Sequence, residues 1–377
     1  MTQRVVLLIN YIRKDQEAAF VEAVRWVPNL TFLLSVLIEP QRDYTPELKQ
    51  LDVRLQKTWT IRRKWKHQSG FEDDQHVHVP LDTLNQLRRL KPDVVVSYEL
   101  GMRSVVSVIY RLLHRRSRLV LAVFVSEHTE KSWSGLRVLI RKGLLRCADI
   151  VTYHGQSGKR YLESLGVPTS RLRFLPYSAH PKMLYDGPTT RAPSIRRRLL
   201  YVGQFTTRKA PVQMLEVLSR WCRSHPDRTM EISMVGRGPL QRTIESTVYP
   251  PNLRMTMLGS VAPGGMPEVF AQHGVLVFPT LADEWGLVVD EALHSGLPVL
   301  SSEYGQATLE LVVEGQNGWR FRPNVDDELY DAIDRMMQVD LPDLDRMAAR
   351  GRADVAARTP AHVGEQLAEV TRAALEC

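Results

Sequence analysis

Short, nearly continuous apolar runs alternate along this chain with segments whose apolar positions recur at helical spacing. In the first half the apolar runs fall at 5–10, 31–38, 93–97, 119–125, 150–153 and 172–175. The helical spacings fall near 16–26, 80–90, 101–115, 133–146 and 156–165. Strands buried on both faces, separated by amphipathic helices, predict a parallel sheet covered by helices. Residues 40–79 are polar, aromatic and basic, and fit neither pattern. The alternation then stops: Pro176, Pro181, Pro188 and Pro193 lie close together, with Gly187 and the basic run Arg196, Arg197 and Arg198. Such punctuation predicts a connector.

The alternation restarts at 199–202. Further strands are predicted at 231–235, 254–258, 275–279 and 299–301. Helices are predicted near 209–224, 239–246, 265–272, 287–295 and 326–338. The reading is therefore an α/β protein of two doubly wound, Rossmann-like domains. They span 1–180 and 199–340, with a linker at 181–198. Two helices in 341–377 are expected to lean back on the first domain. Open α/β sheets bind ligands beyond the C-terminal ends of their strands. Two such domains facing each other would leave a cleft between them.

Composition agrees with this picture and adds one asymmetry. The 377 residues exceed what one core usually organises. Apolar content of 44% and charged content of 24% are those of a globular protein. No apolar run reaches the length of a membrane helix, and the run at 5–9 is too short for a signal sequence. Cys147, Cys222 and Cys377 show no metal spacing and suggest no disulfide framework, so a reducing cytosol is expected. The asymmetry is in charge. Residues 1–195 hold 31 Lys+Arg and 18 Asp+Glu, a balance of +13; the rest hold 19 and 24, a balance of −5, and together they give the net +8. A basic half predicts either an anionic partner, a membrane surface among them, or simply a solvated basic face. The basic clusters are Arg62 to Lys66, Arg115–Arg116 with Arg118, and Arg137, Arg141, Lys142 and Arg146.

Three segments of the second half carry chemistry. Gly203, after the strand 199–202, permits close backbone approach. Arg208 and Lys209 precede a helix, where cations and helix N–H groups together suit a diphosphate; otherwise they are surface charges. Gly236, in the turn Val235-Gly-Arg-Gly-Pro239, opens the backbone to a base or ribose, or merely shapes a strand-to-helix turn. Asp283 and Glu284 flank a turn at Trp285–Gly286, and Gly286, Leu287 and Val288 begin the next helix. Either acid caps that helix or serves a ligand. Glu291, already inside the helix, suits a ribose diol better than a cap. In the first half His128, in Ser126-Glu-His-Thr129, follows the strand 119–125. Glu99 follows the strand at 93–97, and His154 with Ser157 follows 150–153. Each also has a structural reading. Asn10 ends the first strand.

Four blocks carry a resemblance: Tyr201-Val-Gly-Gln-Phe with Arg208–Lys209; Val235-Gly-Arg-Gly-Pro239; Pro279 through Asp283, Glu291 and Gly296 to Val299; and Glu310 to Gly318. Over 199–325 the chain resembles the retaining GT-B glycosyltransferases of glycosyltransferase family 4. The first half is similar in layout, with Ser126-Glu-His128 and Pro176-Tyr-Ser as its local matches.

The resemblance implies transfer of a sugar from a nucleotide-diphospho-sugar to an acceptor, with retention of configuration. The acceptor, whether lipid-linked, polysaccharide or small molecule, stays unidentified. It implies Lys209 at the diphosphate and Glu291 at the ribose. It further implies Asp283 or Glu284 at the sugar hydroxyls, Gly286 to Val288 as backbone donors, and His128 lining the sugar from the opposite domain. Asn10, Glu99 and His154 are expected on the acceptor side. No cofactor, metal or nucleic acid is implied. Such an enzyme is expected in the cytoplasm; the basic first half leaves peripheral contact with the inner face of the membrane open beside the solvated-face reading.

The sequence departs from the family pattern in three ways. The first acid of the usual Glu, seven residues, Glu motif is Asp283, beside Glu284. Gln204 replaces the usual arginine. No glycine precedes Gly70, so the glycine-rich loop after the first strand is missing. Competing readings are a nucleotide-sugar 2-epimerase on the same layout and a non-catalytic anion-binding protein.

Overall fold

The computed structural model describes all residues except 1–2, 40–45, 68–69, 131–134 and 326, together with the side chains of 65 and 73–75. Chain contacts divide it into two units. One comprises Met1–Trp65, Asp74–His180 and Arg358–Cys377; the other comprises Lys66–Asp73 and Pro181–Ala357.

In chain order the first unit holds β1 (Arg4–Ile9), α1 (Lys14–Trp26), β2 (Asn29–Leu34), β3 (Asp52–Leu55), β4 (Thr58–Lys66), β5 (Glu72–Pro80), α2 (Thr83–Leu90), β6 (Val94–Tyr98) and α3 (Met102–Leu113). β7 (Arg118–Ala122), α4 (Glu127–Glu130), α5 (Gly135–Arg146), β8 (Ile150–Tyr153), α6 (Gln156–Ser164) and β9 (Leu172–Phe174) follow. Among the described residues its main sheet has the order β3-β2-β1-β6-β7-β8-β9, and the strand pairs are parallel. Val5 to Ile9 and Val94 to Val96 are buried on both faces, which explains their unbroken apolar sequence. The segment 40–79, which fits no pattern in the sequence, supplies edge strand β3 and the separate β4–β5 pair. β3 and β4 are largely exposed, so no apolar stripe marks them.

The second unit holds β10 (Leu199–Val202), α7 (Pro211–Ser224), β11 (Met230–Val235), α8 (Gln241–Ser246), β12 (Leu253–Gly259), α9 (Met266–Ala271), β13 (Val275–Phe278), α10 (Leu287–His294), β14 (Val299–Ser302), α11 (Gln306–Leu311), β15 (Gly318–Phe321), α12 (Glu328–Gln338) and α13 (Leu341–Val355). Its parallel sheet runs β12-β11-β10-β13-β14-β15. Counted within the unit this is the order 3-2-1-4-5-6 of dinucleotide-binding folds. Sequence periodicity misses β15 and α11 because each is short.

Two boundaries take definite form. The proline-rich stretch 181–198, expected as a linker, is bound down along the second unit. Arg191 donates to Ser295 O at 2.8 Å, and Arg352 donates to Gly187 O at 2.7 Å and Tyr185 O at 3.1 Å. Of the two helices expected to lean back, α13 stays on α10 of the second unit. Only α14 (Pro360–Leu375) joins the first, where it packs along α1. Gly364 makes that crossing close: a Cβ there would stand 2.7 Å from the Ala23 nitrogen.

Candidate active site

In each unit the strand order reverses between two neighbouring strands: β10 and β13 in the second, β1 and β6 in the first. The loops leaving such a pair diverge to opposite faces and open a crevice. In the second unit the loops after β10 and β13 are tied together. Leu281 N–H donates to Arg208 O at 2.8 Å, and Thr280 Oγ1 donates to the same oxygen at 3.2 Å. Arg208 and Lys209 lie in a one-turn 3-10 segment, and Ala210, at φ 51°, turns the chain into α7 with Pro211 in the first turn.

That tie brings the cations to the acid. Lys209 Nζ donates to Asp283 Oδ2 in an ion pair, and Arg208 Nη1 stands 3.9 Å from Asp283 Oδ1 while donating to Ala282 O at 3.3 Å. Burial alone pushes the Asp283 carboxyl up. The charges of Lys209 and Arg208, the Lys209 hydrogen bond and the Trp285 N–H outweigh it and hold the group below the ordinary carboxylate range. Asp283 is therefore the acid that faces the basic pair, and the neighbouring Glu284 is exposed. Gly286, not either acid, occupies the cap position of α10.

The turn 283–286 is held from behind by the loop before α11 and by the first residues of that helix. Asp283 N–H donates to Tyr304 O at 3.0 Å, Gln306 Nε2 to Glu284 O at 2.8 Å, and Ala307 N–H to Trp285 O at 2.9 Å. Gly286 adopts φ 100°, and a Cβ there would meet the Phe278 ring at 2.6 Å. Val289 N–H bonds back to Gly286 O at 2.9 Å. The amides of Gly286, Leu287 and Val288 have no preceding helical turn to accept them, as at any helix start. Glu291 is buried one turn along α10. Beside it Asp290 is fully buried, 3.4 Å from His294 Nε2. The four-residue spacing of that pair is visible in the sequence, but by itself it marks only one helix face.

The turn glycines have local explanations. A Cβ on Gly236, at φ 137°, would stand 2.0 Å from the Gly203 carbonyl oxygen. The space left by the missing side chain is thus filled by the adjoining turn. Gly203 N–H in turn donates to Val235 O at 3.0 Å.

The first unit has a polar cluster at its own switch point. Asn10, after β1, donates to Glu99 Oε2 at 2.9 Å, after β6. Arg103 is buried on the first turn of α3. It donates to Glu99 Oε2 at 3.1 Å, to Ser35 Oγ at 3.1 Å and to Asn10 Oδ1. Burial lowers its pKa, the Glu99 carboxylate opposing. Glu99 sits at φ 67°, a left-handed conformation unusual for glutamate, with its carboxylate half-exposed. Arg103 and Ser35 were not singled out in the sequence. The signal was there in part, since Arg103 follows Glu99 by four residues.

His128 lies on the short helix α4, and its loop is fixed by Thr129 N–H donating to Ser126 Oγ at 3.0 Å. His154, expected on the acceptor side, is buried among rings, 5.4 Å from Phe124 and 5.0 Å from Tyr177 between centroids. Among the described residues no group of three or more His, Cys, Asp or Glu is placed to hold a metal ion.

These features can be set beside known proteins. Residues 196–339 match the family described as glycosyl transferases group 1. The matched region contains Gly203, Arg208, Lys209, Asp283 and Glu291. A D-inositol 3-phosphate glycosyltransferase of Nocardia farcinica is 30% identical over 183 residues, 46% of this chain and 40% of that protein. An alpha-D-kanosaminyltransferase of Streptomyces kanamyceticus is 24% identical over 218 residues, 55% of each. The chain thus spans about half the length of these curated relatives. In fold the likeness extends over nearly the whole chain. The crystal structure of Anabaena HepE with UDP superimposes with a TM-score of 0.72 at 16% identity, covering 98% of this chain and 100% of that one. A sucrose-phosphate synthase of Thermosynechococcus elongatus does so at 0.67 and 17%, covering 98% of each. The fold is that of the GT-B glycosyltransferases. Nothing among these relatives supports the 2-epimerase reading.

Proposed function

We propose that the protein transfers a glycosyl group from a nucleotide-diphospho-sugar to a hydroxyl-bearing acceptor, with retention of anomeric configuration. The observation that carries this reading is the meeting of Lys209, Arg208 and Asp283 beside the start of α10, within the segment that matches the glycosyl transferases group 1 family. A diphosphate is recognised by cations and helix N–H groups, and sugar hydroxyls by a carboxylate. The site offers both within one ion pair.

In this reading the Lys209–Asp283 pair is the resting state. The donor diphosphate takes over Lys209, and the released Asp283 carboxylate accepts from sugar hydroxyls. Glu291 accepts from the ribose diol, and the Gly286 to Val288 amides donate to the donor. His128 meets the donor sugar, with Asn10 and Glu99 on the acceptor side. The bond from the anomeric carbon to the diphosphate oxygen breaks, and the acceptor oxygen bonds that carbon on the same face. The acceptor proton passes to the departing diphosphate. No protein nucleophile is assigned. Rate comes from cations aimed at the charge that develops on the leaving group, and no metal is needed in that account. HepE has been crystallised with UDP-glucose, which makes a uridine donor the first to try. Cytoplasmic residence belongs to the same reading.

The test is a thermal-shift screen of UDP-, GDP- and ADP-sugars, because a ligand that binds only the folded state raises its apparent stability. Proton NMR then reads the anomeric configuration of the product. Absence of stabilisation by every nucleotide-sugar, or release of a free epimer without acceptor, would reject the proposal.

A further inference from the structure

Two neighbouring helices of the first unit leave apolar side chains uncovered. On α5, Leu136, Leu139 and Ile140 follow the i, i+3, i+4 spacing of a core-facing stripe, yet each is more than half exposed. The opposite side of the same helix is the one buried, through Arg141, Leu144 and Leu145. A helix apolar on both sides is ordinarily covered on both sides. α3, which packs against α5, repeats the arrangement: Leu112 and Leu113 are more than half exposed, while Ser104, Ser107 and Val108 face inward.

The charge around these stripes has one sign. Neither helix contains an acidic residue. The buried or part-buried arginines are committed: Arg103 to Glu99, Arg111 to Asp149 and Arg141 to Glu130. Arg115, Arg116, Lys142 and Arg146 are exposed and make no ion pair among the described residues. Crowding has a cost here. Burial, and then the neighbouring charge of Arg141, bring the Arg137 guanidinium down to about 10 despite Glu130.

We infer that α3 and α5 form a docking surface for an anionic lipid bilayer, with Leu112, Leu113, Leu136, Leu139 and Ile140 entering the headgroup boundary and Arg115, Arg116, Lys142 and Arg146 meeting lipid phosphates. A basic helix with exposed leucines binds such an interface through apolar burial and charge attraction together. A second copy of the chain fits poorly, because self-pairing would set cations against cations. No helix among the described residues is long and apolar enough to cross a membrane, so contact through these helices is peripheral. The inference is independent of the glycosyl-transfer reading, since its test uses no sugar.

Co-sedimentation of the full chain is measured with vesicles of phosphatidylcholine alone and of phosphatidylcholine mixed with phosphatidylglycerol. The parent should bind the mixed vesicles and not the neutral ones, and salt should weaken binding in part. The triple variant L136S/L139S/I140S and the pair K142E/R146E should each bind the mixed vesicles roughly tenfold more weakly or worse. Val248→Ser, on the second unit, should bind like the parent. Circular dichroism and melting confirm that each variant is folded; if the triple variant is not, the charge pair carries the test alone. The inference is overturned if the parent ignores anionic vesicles, or if the folded variants bind as it does. It is equally overturned if sedimentation velocity shows a parent dimer that the variants lose.

Discussion

Lys209 and Asp283, 74 positions apart in the chain, form an ion pair across the point where the second sheet reverses its strand order. Both side chains are less than a fifth exposed, and Arg208 reinforces the pair. The first unit has a counterpart in Asn10 and Glu99, 89 positions apart and hydrogen-bonded across its own reversal. Each pair joins the loops that leave two strands of diverging connection.

The Lys209–Asp283 pair sets a pH dependence of stability. Asp283 is held below its unfolded value of about 3.9, so its contribution is full above that value and is lost as pH falls through the lowered folded one. Asp283→Asn should therefore be less stable than the parent by about 1–3 kcal/mol at neutral pH, the cost of leaving a buried charge partner unsatisfied. The two should converge in strong acid. Urea melts at a series of pH values measure this; an unchanging gap down to pH 2 would refute it (roughly the acid limit of such a titration).

Removal of Lys209 separates the two roles of the pair. Lys209→Ala should lower kcat by roughly a hundred- to a thousandfold, the scale for losing one preorganised group at a developing charge. Lys209→Arg should recover part of it, because a cation remains although its geometry differs. Steady-state kinetics with the best donor from the screen make the comparison.

Glu291→Gln should weaken nucleotide binding by roughly tenfold to a hundredfold, matching the loss of charged hydrogen bonds worth about 1.5–3 kcal/mol. Glu284→Gln, on an exposed side chain, should change it little. Calorimetric titration with the nucleoside diphosphate distinguishes the two. Equal weakening by both would mean that Glu291 is not the ribose partner.

Gly236→Ala should destabilise the second unit by about 2–6 kcal/mol. It adds backbone strain of about 1–3 kcal/mol at positive φ to overpacking of about 1–3 kcal/mol against the Gly203 carbonyl. Chemical denaturation reads the loss. A near-neutral result would mean the two turns separate easily.

The cluster at Glu99 should govern the acceptor. Asn10→Ala and Glu99→Gln are expected to raise the acceptor KM several-fold while leaving the donor KM unchanged. Arg103→Met removes the partner that holds Glu99 and Asn10 in place and should do the same without touching substrate. A shift in the donor KM instead would reassign the cluster.

The chain's periodicity was enough to determine two parallel α/β units and most of their strands. Residues such as Val94 to Val96 are apolar because both faces of the sheet are covered, and that requirement is written locally. The segment 40–79 was not legible, because β3 and β4 bury too little to impose alternation. The basic loop at 208–209 and the acids at 283, 284 and 291 were visible as candidates. Which acid meets the cations was not, since Asp283 and Glu284 are adjacent and chemically alike. The fold decided it by tying the loops after β10 and β13 together and holding the 283–286 turn from Tyr304, Gln306 and Ala307. Burial of Arg103, the packing of His154 among rings and the exposure of the leucines on α5 were likewise settled only in three dimensions. Sequence records what each residue prefers; the packing of distant segments decides which preferences are met.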